Sequence, residues 1–259
     1  MLVINQRQLD AMIQVRMAGF ERKLVAHLLN AWPRECRQAG GEPQIARAVK
    51  LILPRAQGHG YETERELTLY TSLTLILGFG FDTDPQLDWA GSALRNAAIA
   101  DLTVRIERLY DETVEYLGAI GGKDAGLVVR AMLRVKNYDT THAPVTEGEK
   151  LAEDLCGVLR QFWPEKLAFQ GAAPTMAMIR DGIARARDHG LESPVGRGLF
   201  VSLQFMLGHE FDIDPLHPWA GAALTHPDDK TETDRIVRLY QVSFNHIDQS
   251  LTRAQGQGA

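Results

Sequence analysis

A chain of 259 residues, 45% hydrophobic and 24% charged, has the composition of an ordinary globular protein and the length of one large domain or two small ones. Its 28 Lys and Arg face 33 Asp and Glu, a net charge of -5 with both signs mixed along the chain, which argues against a nucleic-acid or anionic-membrane surface. Residues 1–19 carry Asn5, Gln6, Arg7, Asp10 and Arg16 among their apolar residues, so neither a signal-peptide core nor a membrane span is expected, and the expected location is the cytoplasm.

In chain order, a first helix is expected from about Gln8 to Ala31, with Met12, Val15, Phe20, Leu24 and Leu28 on one face. A second opens near Pro43, with Ile45, Val49 and Ile52 in a stripe. A third begins on the capping box Thr63-x-x-Glu66 and is apolar almost all round, through Leu67, Leu69, Tyr70, Leu73, Leu75, Ile76 and Leu77, which marks it as a buried centre. A short helix carries Trp89, and a long one carries Ile106, Leu109, Tyr110, Val114 and Leu117. Gly121-Gly122 closes that helix, a further helix covers about Ala125 to Lys136, and Asn137 to Val145 reads as loop. Thr146-x-x-Glu149 then starts a second set. It has a helix from Pro174 that stops at Gly190, and another with Ser193 as N-cap and Pro194 at its first position.

The second set repeats the first. At an offset of 130 residues, about twenty of the fifty positions from Tyr61 to Tyr110 are identical without a gap, more than chance provides. Leu77-Gly78, Phe81-Asp82-x-Asp84-Pro85 and Trp89-Ala90-Gly91-x-Ala93-Leu94 return as Leu207-Gly208, Phe211-Asp212-x-Asp214-Pro215 and Trp219-Ala220-Gly221-x-Ala223-Leu224. The expected fold is all-α: one helical domain in tandem, at residues 1–121 and 146–259, joined by a connector at 122–145.

Paired carboxylates invite a metal-site reading for Asp82 with Asp84 and for Asp212 with Asp214, but one such pair supplies too few oxygens for a hard cation. Asp84 and Asp214 each precede a proline and a short helix, which fits N-capping. Trp89 and Trp219 sit beside small and apolar residues and are expected in the core. Gly118 to Lys123 lacks the first glycine and the final Ser or Thr of a phosphate loop and follows a helix. His209-Glu210 has Ile213 where a zinc-protease helix needs its second histidine. His59 and His189 fall at helix C-termini, where a positive tip is favoured. Cys36 and Cys156 show neither CxxC nor zinc-ligand spacing and are expected to be reduced, buried thiols. No catalytic residue, cofactor or metal is expected, and the chain does not read as an enzyme.

Where the two sets differ, a partner has something to recognise. Asn96-Ala97-Ala98-Ile99-Ala100 becomes His226-Pro227-Asp228-Asp229-Lys230, followed by Glu232 and Asp234. Asp228, Asp229, Glu232 and Asp234, or else the connector from Asn137 to Val145, are the candidate contacts for a basic partner, against the commoner role of such a cluster as a solvated loop.

The run Leu77-Gly78-Phe79-Gly80-Phe81-Asp82-Thr83-Asp84-Pro85, with Trp89-Ala90 after it and the opening Gln8-x-x-Ala11 to Phe20-x-x-x-Leu24-x-x-His27-Leu28, resembles a small helical family encoded beside bacterial type VI secretion effectors. Members commonly carry one such domain, so the two sets here are a departure. The resemblance implies an immunity protein that binds and neutralises a cognate effector toxin, a nuclease of the restriction-endonuclease type. It assigns no site residues. The alternative it leaves is an adaptor that loads an effector onto the secretion spike.

Overall fold

The computed structural model describes residues 5–255, and every regular element in that span is a helix. Residues 1–4 and 256–259, the outermost positions of the two expected domains, lie outside the described residues. No helix among the described residues is long and apolar enough to cross a membrane.

Helix α1 (Gln6–Ala31) opens on a capping box in which the Asn5 side chain accepts from Gln8 N, and Gln8 Oε1 from Asn5 N, both at 3.0 Å. Phe20, Leu24 and Leu28 are buried. Met12 and Val15, expected on the same face, are instead 60% and 74% exposed. Val15 lies about 140° round the helix from Phe20 and so points off the buried face. Met12 belongs to the outer turns, where Leu9 and Ile13 are exposed too, since α1 has 26 residues and its partner α3 (Glu42–Gly58) has 17.

The short α2 (Pro33–Ala39), which periodicity did not single out, starts on proline and turns the chain into α3. The buried α4 (Glu64–Leu77) starts on the expected box: Thr63 accepts from Glu66 N at 3.3 Å and Glu66 Oε2 from Thr63 N at 3.0 Å. Its buried hydroxyls return to the helix itself, Thr71 to Leu67 O and Thr74 to Tyr70 O, so a nearly all-buried helix leaves no hydroxyl orphaned there. Next come α5 (Asp88–Leu94) with Trp89 and α6 (Leu102–Gly121). α3 packs on α1 and α4, and α6 packs on α4 and α5.

After α7 (Gly126–Lys136) and a loop with one short 3-10 turn, the order resumes. It runs α8 (Gly148–Phe162), α9 (Pro164–Gln170), α10 (Ala172–Asp188), α11 (Pro194–Leu207), α12 (Pro218–Leu224) and α13 (Glu232–Gln255). α10 packs on α8 and α11, and α13 packs on α11 and α12. Helices α2 to α5 have 7, 17, 14 and 7 residues, and so do α9 to α12. Thr146 does not cap α8. Its hydroxyl donates to Asp154 at 2.8 Å, Glu149 pairs with Arg180, and the helix starts after Glu147 with no side-chain cap. Cys36 is buried, but Cys156 is only half-buried, because its face of α8 reaches the surface. One large core cluster joins α1 to α6 with α7, α8 and parts of α9 to α11, and a smaller one fills the space among α10 to α13.

Removing the box on α4 gives a stability test. Thr63→Ala is expected to cost about 1 kcal/mol, and Glu66→Ala, which also strips the Thr103 hydroxyl of its acceptor, about 2 kcal/mol, both read from urea denaturation.

Candidate functional site

The motif carboxylates fall into two kinds. Asp82 lies between α4 and α5 and is buried beneath α3: Arg55 Nη2 donates at 2.5 Å, Tyr70 Oη at 2.8 Å, and His59 Nε2 lies at 3.1 Å. Asp212 is held alike by Arg185 Nη2 at 2.6 Å and His189 Nε2 at 2.8 Å, with Phe200 where the first set has Tyr70. Burial works against both charges, but the hydrogen bonds from His and Arg outweigh it and hold both carboxyls below the usual carboxylate range. His59 and His189 do cap α3 and α10, and each also anchors this carboxylate.

Asp84 and Asp214 cap the turns that follow them, Asp84 accepting from Gln86 N at 2.8 Å and Asp214 from Leu216 N at 2.7 Å. Each also reaches across to the other set. Asp84 Oδ2 accepts from His209 N at 2.9 Å, and Asp214 accepts from the backbone N–H of Phe79. Between them the chain segments after α4 and α11 lie back to back, with Gly78 and Gly208 at φ +104° and +100°. A Cβ on Gly78 would stand 3.0 Å from Leu207 O, and one on Gly208 3.1 Å from Leu77 O, so a side chain at either position is strained by its backbone and forces the facing carbonyl to shift. Arg55 adds a bond to Glu210 at 2.6 Å and Gln86 Nε2 one to Gln204 O at 3.0 Å. These residues therefore tie the two helical sets together. Among the described residues no group of three or more His, Cys, Asp or Glu is placed to hold a metal ion.

His209 is buried, its Nδ1 3.2 Å from Asp181. Trp89 packs against Tyr116 and Trp219 against His246, both half-buried rather than enclosed. The acidic candidates divide. Asp229 is bidentate with Arg238 at 2.7 to 2.9 Å. Glu232 accepts from Ser193 N and Oγ at 2.7 and 2.6 Å, taking the place that Glu66 holds in the first set. Asp234 caps α13 through Thr231. Asp228 is 84% exposed, with His226 at 3.8 Å and the charge of Arg238 acting on it.

The surface feature that sequence reading missed is a groove. In the second set, Val135, Tyr138 and Pro144 from α7 and the loop after it lie over α8, α11 and α13, closing a pocket of about 120 Å³ against Leu155, Val158, Leu199 and Tyr240. In the first set the same place, between α1 and α4, is an open groove of about 480 Å³ whose lining includes Lys23, Leu24, His27, Glu64, Thr68 and Leu69. Tyr110 and Val114 of α6, at the 130-residue offset from the stacked pair Tyr240 and Phe244, are 39% and 54% exposed. Residues 6–17, which precede the first set as the connector precedes the second, continue α1 outward instead of folding back.

No family model matches the chain, and neither a curated protein nor a solved structure matches it.

Two outcomes check the junction. Gly208→Ala meets both a left-handed backbone and the Leu77 carbonyl and is expected to cost about 2–4 kcal/mol in urea denaturation. Burial raises the Asp214 carboxyl to about 7, above the unfolded value of about 3.9, so the stability linked to its proton is complete below about pH 4 and is lost as pH rises to 7. Asp214→Asn cannot ionise. Relative to the parent chain it should gain on the order of 2–3 kcal/mol between about pH 5 and pH 8; a constant gap between the two proteins over that range would refute the assignment.

Proposed function

We propose that this protein is a cytoplasmic immunity protein that neutralises a cognate type VI secretion toxin, a nuclease, by direct contact. Its two helical sets are tandem copies of one domain, and the first copy holds the toxin. The observation that carries this reading is the open groove between α1 and α4. Its counterpart on the second set is occupied by α7 and the following loop, so the surface is built to take a packed segment, and on the first set that place stands open. Open, partly apolar grooves of this kind are where one protein packs on another. The motif carboxylates favour a binding role as well, since Asp82, Asp84, Asp212 and Asp214 are all engaged in holding the fold.

Inhibition by contact requires shape and charge complementarity and no chemistry. Lys23 and His27 on α1 face Glu64 on α4, and Arg65 is paired with Glu107, so the groove has a rim of mixed charge that suits a segment carrying polar residues among apolar ones. Asp228 offers a separate exposed acidic contact.

A pull-down from the native cytoplasm, followed by expression of each captured protein alone and together with this one, tests the function. The expected result is a partner that kills when expressed alone and is harmless in co-expression. The Lys23→Glu, Thr68→Trp double variant, which fills and recharges the groove while remaining folded, should weaken toxin binding by at least about 30-fold and abolish protection. A spike component captured together with an effector, with no relief of killing, would point to an adaptor and overturn the immunity reading.

A further inference from the structure

A second cavity lies at the junction of the two sets. It is a cavity of about 310 Å³ at the lower end of the size range of small-molecule sites. Glu35, Gln38 and Leu117 line it and are exposed, so they mark its mouth, whereas Lys166 and Asp84 line it and are buried. Much of the wall is apolar, with Leu75, Leu77, Leu87, Met206 and Leu216 among its residues.

Lys166 is the one Lys or Arg that lines the cavity among the described residues, and its side chain is reached by almost no solvent. Its ammonium donates one hydrogen bond, to Phe205 O, and rests 4.8 and 5.3 Å from the ring centroids of Phe205 and Trp163. An ammonium has three hydrogens to donate, so two lack an acceptor here. Asp84 attracts the ammonium electrostatically but makes no hydrogen bond to it. Its oxygens already accept from Gln86 N, Gln86 Nε2 and His209 N. Burial lowers Lys166 to about 8, leaving it largely charged at neutral pH, and the same burial lowers His217 to about 4, so the imidazole brings no second cation. The chamber wall also carries the carboxyls of Glu35, Asp84 and Asp214, but none of them hydrogen-bonds the ammonium, and a buried cation with donors left unpaired is an incomplete polar site.

We propose that the cavity binds a monocarboxylate with an apolar tail, its carboxylate accepting the two unpaired Lys166 hydrogens and its tail lying along the Leu75, Leu77 and Met206 wall. The site stands apart from the open groove between α1 and α4 and does not depend on the protein's being an immunity protein. Because the cavity walls come from both helical sets, an occupant clamps the two sets together and adds its binding free energy to the stability of the junction.

Octanoate is the probe. Titration into the full chain by calorimetry should give saturable one-to-one binding, and octanoate at ten times its Kd should raise Tm by about 3 °C. Octanol, with the same tail and no charge, should bind at least about tenfold more weakly. Lys166→Met should lose octanoate at least about 30-fold while keeping its helical circular dichroism. Should that variant fail to fold, Leu117→Trp decides: it changes an exposed side chain at the mouth and should abolish binding in a folded protein. Absence of saturable binding to the parent chain would overturn the proposal, as would equal affinity for octanol, or undiminished binding in a folded Lys166→Met or Leu117→Trp variant.

Discussion

Everything in this molecule hangs on the place where two chain segments meet backbone to backbone, at Gly78 and Gly208. Each lacks a Cβ because the carbonyl just before the other stands about 3 Å from where one would be. Close approach brings Asp84 onto His209 N and Asp214 onto the Phe79 N–H, so each carboxylate caps its own turn with one set of donors and locks the opposite set with another. Two short loops, unremarkable as loops, thereby become the seam of a continuous core.

Around that seam the two sets solve the same local problems with different residues. Glu66 closes the start of α4 from three positions inside its own helix, whereas α11, with Gly196 at that place, borrows Glu232 from α13. Tyr70 adds a hydroxyl to the Asp82 cluster, and Phe200 adds only ring contact beside Asp212. Glu210 sits at φ +62°, an unusual conformation for a residue with a side chain, and the Arg55 guanidinium from the other set pairs with its carboxylate. The greatest difference is on the outer face, where α7 and its loop cover one set and leave the other open.

Such asymmetry is what gives a pair of similar units a capacity that neither has alone. The seam encloses a chamber with a buried ammonium contributed by α9 on one side and apolar wall from α4 on the other. The outer groove of the first set stays open. The acidic stretch after α12 contributes less free charge than its composition implies, since Asp229, Glu232 and Asp234 are neutralised or hydrogen-bonded within the fold and Asp228 remains.

The sequence by itself determined that the described chain is helical, because 3.6-residue periodicity, the Thr63 box, the Ser193 cap and the glycine stops are local signals that act through neighbouring backbone groups. It determined equally that Asp84 and Asp214 cap the backbone that follows them, but what they cap is the turn before each tryptophan helix, and α5 and α12 themselves start without a side-chain cap. Other features had no local signal. Met12 lies near the core face of α1, yet only the reach of the helices packed on it decides whether that part of the face is covered. Lys166 is an ordinary helical lysine in sequence, and it becomes a buried cation only when segments dozens of residues away close over it. Tertiary structure alone decided the seam, the chamber and the groove, because each is made of groups distant along the chain, whose meeting is set by packing and by where a Cβ would crowd the facing backbone.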